Sequence, residues 1–317
     1  MIVVAVAVVV GLGLLSWAPG TFVGGAASLA RRWSVSPVII GALILGLGTS
    51  APEMLVGGLA AVQGDPAVGV GNIVGSNIAN LALVLGVAGL VGSIGVAEGT
   101  LRTEVPLVVL ATVGFGVAVQ GGLSVAEGAA LAVGLAVALA VTVRRASSHD
   151  AADADIEADV EEMLGRDGVS GRVLAVQLVV GLGGIIAGAQ ALVWGAVEVA
   201  ESLDLSEGFV GMSLVAVGTS IPELVTSVSA VRAGEDDLVL GNVLGSNLFN
   251  SLAVGAVIGL ADAGPLDDTA LTTGGVILML AVTVVAAAVM AIGRRVSKLE
   301  AGLLLVTYCA VMPLLAG

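Results

Sequence analysis

The chain has few charges, few aromatic residues and almost no cysteine or histidine. Only 11% of its 317 residues are Asp, Glu, Lys or Arg, and 3% are aromatic. A water-soluble globular domain has roughly a quarter of its residues charged, so this shortage excludes an ordinary soluble protein. The single cysteine, Cys309, excludes a disulfide framework and a cysteine-based metal site within one chain. The single histidine, His149, excludes a histidine cluster.

Hydrophobic residues take the place of the missing charges. They make up 57% of the chain, and the mean hydropathy is +1.11. Apolar runs of about 20 residues are long enough for helices to cross a bilayer, whereas the strands of a membrane barrel alternate apolar and polar residues over about 10 positions. The 47 glycines suit close packing of helices in lipid. We therefore predict an all-α integral membrane protein.

The apolar runs predict ten transmembrane helices. They are placed at residues 1–30, 36–62, 68–95, 104–119, 123–143, 172–200, 207–231, 238–261, 269–292 and 298–316. All 11 basic residues fall at odd-numbered connections, whereas the even-numbered connections have only acids, such as Asp65 and Asp204. Because cytoplasmic loops are enriched in Lys and Arg, we predict cytoplasmic odd connections and a multi-pass protein of the cell membrane with both termini extracellular.

One long polar connection, residues 146–171, divides the chain and holds much of its acidity. The net charge of −14 excludes a basic nucleic-acid surface. A regulatory cation site at Asp153 and Asp155 is one interpretation, but the segment lacks the glycine turn of a calcium loop, and we favour a solvated, partly helical linker. The predicted organisation is a first five-helix repeat at 1–145, an acidic cytoplasmic linker at 146–171 and a second five-helix repeat at 172–317.

Two blocks of sequence occur twice at an offset of 170 residues. Residues 41–53 read GALILGLGTSAPE and residues 211–223 read GMSLVAVGTSIPE; residues 71–80 read GNIVGSNIAN and residues 241–250 read GNVLGSNLFN. Six of 13 positions are identical in the first pair and six of ten in the second, which indicates a duplication. Because each half has an odd number of helices, the second half starts on the opposite side of the membrane. We therefore predict two inverted repeats, an architecture typical of secondary transporters.

The first block contains helix breakers and carboxylates. Pro52 and Pro222 each remove a backbone donor, so we predict breaks in helices two and seven. A break frees carbonyl oxygens, which are tolerated in lipid only where they face protein, water or an ion. Glu53 and Glu223 follow the breaks by one residue. A carboxylate near the bilayer centre is costly and is functional by default.

The second block forms a polar stripe on one helix of each half. The stripes consist of Asn72, Ser76 and Asn80 on helix three and of Asn242, Ser246 and Asn250 on helix eight. Gly71 and Gly75 form an adjacent surface of small residues that allows close approach of another helix. A proline can be only a kink and such a stripe only interhelical packing, but together with two carboxylates they supply hard oxygen donors. That chemistry selects calcium, sodium or a similar cation over zinc or copper.

The two blocks resemble the alpha repeats of the sodium/calcium exchanger family, prokaryotic type, within the cation/calcium exchanger superfamily. The resemblance implies a secondary antiporter, not an enzyme, that exchanges calcium for sodium by alternating access. It implies that helices one and six slide against the other helices and that no cofactor is needed. The ion ligands that it implies are Glu53, Glu223, Thr49, Thr219, Ser50, Ser220, Ser76, Ser246, Asn80, Asn250, Gly46 and Ala216.

Glu53 and Glu223 are the central ligands by this resemblance. Some family members carry aspartate at the position of Asn80 or Asn250, and potassium-cotransporting relatives use an acid in that region, so potassium dependence is not expected here. Two carboxylates balance one calcium ion or two sodium ions, which leaves the stoichiometry open. We expect calcium ions, sodium ions and the lipid bilayer as partners, no nucleic acid, and a functional monomer.

Other functions remain as alternatives. A calcium/proton antiporter is the main one, because buried carboxylates can also bind protons. An intramembrane hydrolase would need a serine with a His or Lys base, but His149 and Lys298 both lie in predicted cytoplasmic connections. A passive channel fits an inverted repeat with paired carboxylates less well than alternating access does.

Overall fold

The computed structural model describes residues 2–32, 50–146, 171–261 and 264–315, and these are almost entirely helical. The helices before residue 147 are α1 (Ile2–Arg32), α2 (Ala51–Gln63), α3 (Pro66–Ile78), α4 (Leu85–Val91), α5 (Glu98–Arg102), α6 (Glu104–Ala118) and α7 (Val125–Ala146). Those after residue 170 are α8 (Gly171–Leu203), α9 (Glu207–Val210), α10 (Ala216–Thr219), α11 (Ile221–Ala233), α12 (Asp236–Phe249), α13 (Gly255–Leu260), α14 (Val276–Gly293) and α15 (Lys298–Leu315). Short π-helical segments join several of them at Ala79–Val84, Gly211–Val215, Asn250–Val254 and Ala270–Gly275.

Within the described ranges, eight helices are long and apolar enough to cross a membrane, or nine if α9–α10 and α11 form one bent span. The predicted helix two, 36–62, falls partly on residues 33–49, which lie outside the described residues, as does almost all of the predicted linker. Predicted helices one and six correspond to α1 and α8 within three residues at each end. Helix three was predicted too long: it ends at Val91, not at residue 95, because Gly92 adopts an extended backbone.

Two short β contacts connect segments distant in sequence. Strand β1 (Ile94–Gly95) pairs antiparallel with β2 (Arg295–Val296). At another connection, the Leu123 N–H donates to the Gly264 carbonyl at 3.2 Å in an isolated antiparallel bridge. The all-α prediction missed these contacts because a two-residue strand has no alternating pattern to detect.

The buried side chains form two clusters. The larger surrounds the spans Pro66–Val91 and Asp236–Leu260, which are far more buried than the other candidate spans. The smaller lies mainly between α1 and α8. These two helices pack so closely that a Cβ atom at Gly188 would lie 2.9 Å from the Leu14 Cβ. The absence of a Cβ atom at this glycine permits the close approach. The α1–α8 pair therefore has a hydrophobic interface largely separate from that of the central helices.

The helices α2 and α11 match at the offset of 170 residues. Each has 13 residues and begins after a serine, Ser50 or Ser220. Each ends at a glycine in the left-handed region, Gly64 with φ 93° or Gly234 with φ 82°, a conformation that glycine adopts without the steric cost of a Cβ atom. The duplication in sequence therefore produces the same local structure twice.

Candidate metal centre

The break in the seventh predicted span lies at Ser220. The helical segment Glu207–Thr219 and the helix α11 are bent by 41° there. Pro222 is the second residue of α11 and lacks an N–H, so the Gly218 carbonyl loses the donor that a continuous helix would supply. The helix α2 begins in the same way, with Pro52 as its second residue. The predicted break in span seven is therefore present, whereas the segment before Ser50 lies outside the described residues.

Glu53 and Glu223 lie in the first turns of α2 and α11. Both side chains are completely buried, and they are close enough for their charges to interact. The amino-terminal turn of a helix favours negative charge, but two buried carboxylates near each other repel unless cations or protons neutralise them. The two halves of the chain thus bring their carboxylates together in one buried site.

Hydroxyl groups of the central helices approach the same site. The Ser246 Oγ donates to Glu223 Oε1 at 3.3 Å. The Ser76 Oγ lies 3.4 Å from the Thr219 Oγ1, so α3 of the first half meets α10 of the second. The Thr219 side chain also lies near the Glu53 carboxylate, although among the described residues the two do not form a hydrogen bond of good geometry. The structure therefore brings together five of the residues predicted from the sequence: Glu53, Thr219, Glu223, Ser76 and Ser246.

The close approach of α3 to the second half is made possible by small residues. A Cβ atom at Gly71 would lie 3.0 Å from the Met212 nitrogen, and one at Gly75 would lie 2.6 Å from the Ala216 Cβ. The predicted small-residue surface is confirmed. It places Ser76, the residue after Gly75, beside Thr219.

Several other predicted site residues have buried polar side chains. Within the described part of the chain, no hydrogen bond reaches the side-chain polar atoms of Ser50, Ser220, Asn80 and Asn250. Each unpaired buried group costs roughly 1–3 kcal/mol, so their accumulation around the carboxylates fits the binding of a charged ligand. Asn80 and Asn250 also lie in π-helical segments, which occur frequently at functional sites.

The remaining predicted ligands are backbone groups and residues outside the described ranges. Gly46 and Thr49 lie outside the described residues. Ala216, the repeat counterpart of Gly46, is buried, but its carbonyl already accepts from the Ser220 N–H at 3.1 Å and from the Thr219 Oγ1 at 3.3 Å. A cation would have to displace one of these donors to use that oxygen.

Two buried asparagines were not predicted as site residues. The Asn77 Nδ2 donates to the Ser251 Oγ at 2.9 Å, and the Asn247 Nδ2 donates to the Asn77 carbonyl at 3.2 Å. These contacts connect α3 to α12 and to the π-helical segment that follows it. Their signal in the sequence was the repeated GSN motif, in which both asparagines recur at the offset of 170.

The donor set is chemically selective. Among the described residues, no group of three or more His, Cys, Asp or Glu side chains is arranged to hold a metal ion. A cation at this site would therefore rely on two carboxylates and on neutral hydroxyl, amide and carbonyl oxygens. Hard cations such as calcium accept that mixture.

Comparisons with known proteins find relatives that match nearly the whole chain. The family model described as sodium/calcium exchanger protein matches residues 3–144 and 173–316. The putative antiporter CaxA of Alkalimonas amylolytica is 37% identical, with 99% of each chain covered. The sodium/calcium exchanger MaX1 of Methanosarcina acetivorans is 31% identical, with 96% of each chain covered. A solved structure of the sodium-calcium exchanger NCX_Mj, soaked with 10 mM Na+ and 10 mM Sr2+, aligns with a TM-score of 0.66 at 28% identity and covers 98% of both chains.

Proposed function

Because the chain belongs to the sodium/calcium exchanger protein family, we propose that this membrane antiporter exchanges calcium for sodium by alternating access. The observation that carries the proposal is the buried pair Glu53 and Glu223, contributed by two copies of one helix-break motif. Both cations need the same oxygens, so a site that holds one calcium ion must release its sodium ions first. This competition couples the two fluxes.

The ligands are the twelve predicted residues, with the two glutamates at the centre. Glu53 and Glu223 supply the negative charge, and the Ser76, Thr219 and Ser246 hydroxyls lie within 3.4 Å of one another or of a carboxylate oxygen. Together the carboxylates neutralise one calcium ion or two sodium ions. Because a single chain supplies both halves of the site, a monomer is sufficient for transport.

The proposed architecture is two inverted five-helix repeats, 1–145 and 172–317, on either side of a cytoplasmic linker at 146–171. The β contacts support this architecture, because equivalent positions of the two halves make equivalent contacts. Ile94 pairs with Val296, and its repeat counterpart at the offset of 170 is Gly264. Gly264 pairs with Leu123, at the corresponding connection of the other half. The α1–α8 pair, with its separate interface, is the element that slides against the central helices.

Flux into proteoliposomes tests the proposal. With pH clamped, a sodium gradient directed outward should drive calcium into the vesicles, and replacing sodium by potassium should stop the uptake. A protonophore should not abolish it. Calcium accumulation driven by a pH gradient in sodium-free medium, with no further effect of sodium, would instead establish the calcium/proton antiporter.

Accessibility of single cysteines tests the orientation in the cell membrane. Cys309 is exposed, so the background is Cys309→Ala. In right-side-out vesicles, an impermeant thiol reagent should label a cysteine introduced at Asp204 but not one introduced at Arg295, both of which are exposed on the protein. Labelling at Arg295 would overturn the inverted topology and the extracellular termini.

A further inference from the structure

Asn72 lies one helical turn before Ser76 on α3 and is not among the twelve proposed ligands. Its side chain is completely buried, and its Oδ1 lies 3.3 Å from the Ser76 Oγ and 3.1 Å from the Thr219 Oγ1. The two hydroxyl oxygens are 3.4 Å apart. The three oxygens therefore form a triangle in which only the two hydroxyls have hydrogens to donate.

A hydroxyl that binds a cation must present a lone pair to it, so its hydrogen has to be donated to another acceptor. A hydroxyl has one hydrogen and two lone pairs, and an amide oxygen can accept two hydrogen bonds. The Asn72 Oδ1 is within hydrogen-bond distance of both hydroxyls. The Ala216 carbonyl, 3.3 Å from the Thr219 Oγ1, is a second and more distant acceptor for the Thr219 hydrogen. When the Asn72 Oδ1 takes both hydrogens, the lone pairs of Ser76 and Thr219 are left for the cation.

We propose that Asn72 is a positioning residue that orients the Ser76 and Thr219 hydroxyls toward the cation held by Glu53 and Glu223. This inference rests on the proposed function, because it assumes that these hydroxyls bind the transported ions. Asn72 does not itself bind the ion. Its effect on calcium affinity is exerted through the two hydroxyls.

Asn242, the repeat counterpart of Asn72, donates hydrogen bonds through its amide nitrogen, whereas Asn72 accepts them through its amide oxygen. Its Nδ2 donates to the Glu223 backbone carbonyl at 3.2 Å and to the Ser227 Oγ at 3.0 Å. A carbonyl can only accept, so this amide must present its nitrogen. In the second half the Ser246 hydroxyl donates to the Glu223 carboxylate instead. The two halves thus orient their serine hydroxyls with different acceptors, an amide in one and a carboxylate in the other.

The sequence difference behind this contrast is Gly57 in the first half and Ser227 in the second. A Cβ atom at Gly57 would lie 2.9 Å from the Val254 Cγ1, so the close packing against Val254 occupies the space in which a serine would lie. Asn72 therefore has no counterpart of the Ser227 hydroxyl on its own half. Its amide oxygen is directed to the hydroxyl of Thr219 on the other half.

A double-mutant cycle on the full-length protein in detergent tests the inference, with calcium affinity measured by titration calorimetry. Asn72→Leu alone should weaken calcium binding about tenfold, as expected when two ligand hydroxyls lose their acceptor. In a Ser76→Ala or a Thr219→Val background, Asn72→Leu should weaken calcium binding clearly less, because one of the hydroxyls that Asn72 orients is already absent. Asn72→Ala serves as a second variant if the leucine side chain prevents folding.

Asn242→Leu is the matched control, because its cost should be the same with or without the Ser76 and Thr219 hydroxyls. Thermal stability measured without calcium identifies a purely structural role, which would lower the melting temperature without the coupling in affinity. Equal cost of Asn72→Leu in all backgrounds, or no cost in the wild-type background, would overturn the positioning role. A wild-type protein that binds calcium, together with an uncoupled cycle, rejects only this inference; a wild-type protein that binds neither calcium nor sodium rejects the proposed function as well.

Discussion

The two halves of the site share their residue types but not their hydrogen bonds. In the second half, Glu223 is held from two sides: the Ser246 hydroxyl donates to its carboxylate, and the Asn242 amide donates to its backbone carbonyl. In the first half, neither carboxylate oxygen of Glu53 accepts a hydrogen bond of good geometry from any described residue. Among the described residues, the duplicated motif thus produces one carboxylate that accepts a hydrogen bond from a serine of its own half and one that does not.

The largest expected effect comes from removing either charge. Glu53→Gln and Glu223→Gln should each weaken calcium binding by roughly two orders of magnitude or more, because calcium affinity depends strongly on the number of charged ligands. The comparison of the halves adds a second expectation. Without calcium, Glu53→Gln should raise the melting temperature more than Glu223→Gln does, because among the described residues Glu53 has no counterpart of the hydrogen bond that Ser246 gives to Glu223.

Titration calorimetry and thermal unfolding in detergent measure both effects. Near-normal calcium binding by either variant would contradict the assignment of the site. Equal stabilisation by the two substitutions would show that the carboxylates are equivalent in solution.

The next effect tests the contact through which the first half reaches the second. Gly75→Ala introduces a Cβ atom against the Met212 carbonyl and 2.6 Å from the Ala216 Cβ. Overpacking of this kind costs about 1–3 kcal/mol, and it should also weaken calcium binding because Ser76 moves away from Thr219. Gly114→Ala is the control, since a Cβ atom there meets nothing within 4 Å. If both variants unfold at the same temperature as the wild type, α3 does not pack against the second half as described.

A smaller effect distinguishes the two serines. Ser246→Ala removes a hydrogen bond to a carboxylate, whereas Ser76→Ala removes a neutral one to Asn72. Bonds to charged groups contribute about 1.5–3 kcal/mol and neutral ones about 0.5–1.5 kcal/mol. In calcium-free thermal unfolding, Ser246→Ala should therefore be the more destabilised variant. The reverse order would contradict the contrast between the halves.

The smallest effect concerns Asp65, which precedes α3. Desolvation and then the charge of Glu201 raise the pKa of this carboxyl. Because the pKa is higher in the folded than in the unfolded state, this carboxyl contributes to stability at pH values below its unfolded pKa. That contribution is lost as pH rises through the folded pKa. Asp65→Asn should therefore stabilise the protein at pH 7, by less than about 1 kcal/mol because the residue is partly exposed and solvent screens its charge. Thermal unfolding at about pH 3, below the ordinary aspartate pKa, should show no gain; a gain of equal size there would reject the electrostatic explanation.

The sequence was sufficient to predict the features that depend on local pattern. Apolar runs, long enough to cross a bilayer, predicted the ends of α1 and α8 within three residues. Glu53 and Glu223 were predicted as site residues because a charge in an apolar segment is costly and because both recur in the duplication. The break at Ser220 followed from the missing N–H of Pro222.

The features that depend on contacts between the halves could not be predicted in this way. Asn72 and Asn242 occupy the same position of one motif, yet Asn72 accepts from Thr219, which is 147 residues away. No local pattern encodes that partner. The π-helical segments at Asn80 and Asn250 were missed because a single wide turn hardly changes the hydrophobic period. The β1–β2 pair was too short to leave a pattern.

Competition between the two cations at one site is the central claim, and calcium binding measured at a series of sodium concentrations tests it most directly. If Glu53 and Glu223 hold either ion, sodium lowers the fraction of protein available to calcium, and the measured Kd for calcium rises with sodium. Titration calorimetry at constant pH and ionic strength, with potassium replacing sodium, should show a rise steeper than the first power of sodium concentration, since more than one sodium ion must leave. A calcium Kd that stays constant as sodium replaces potassium would contradict the claim.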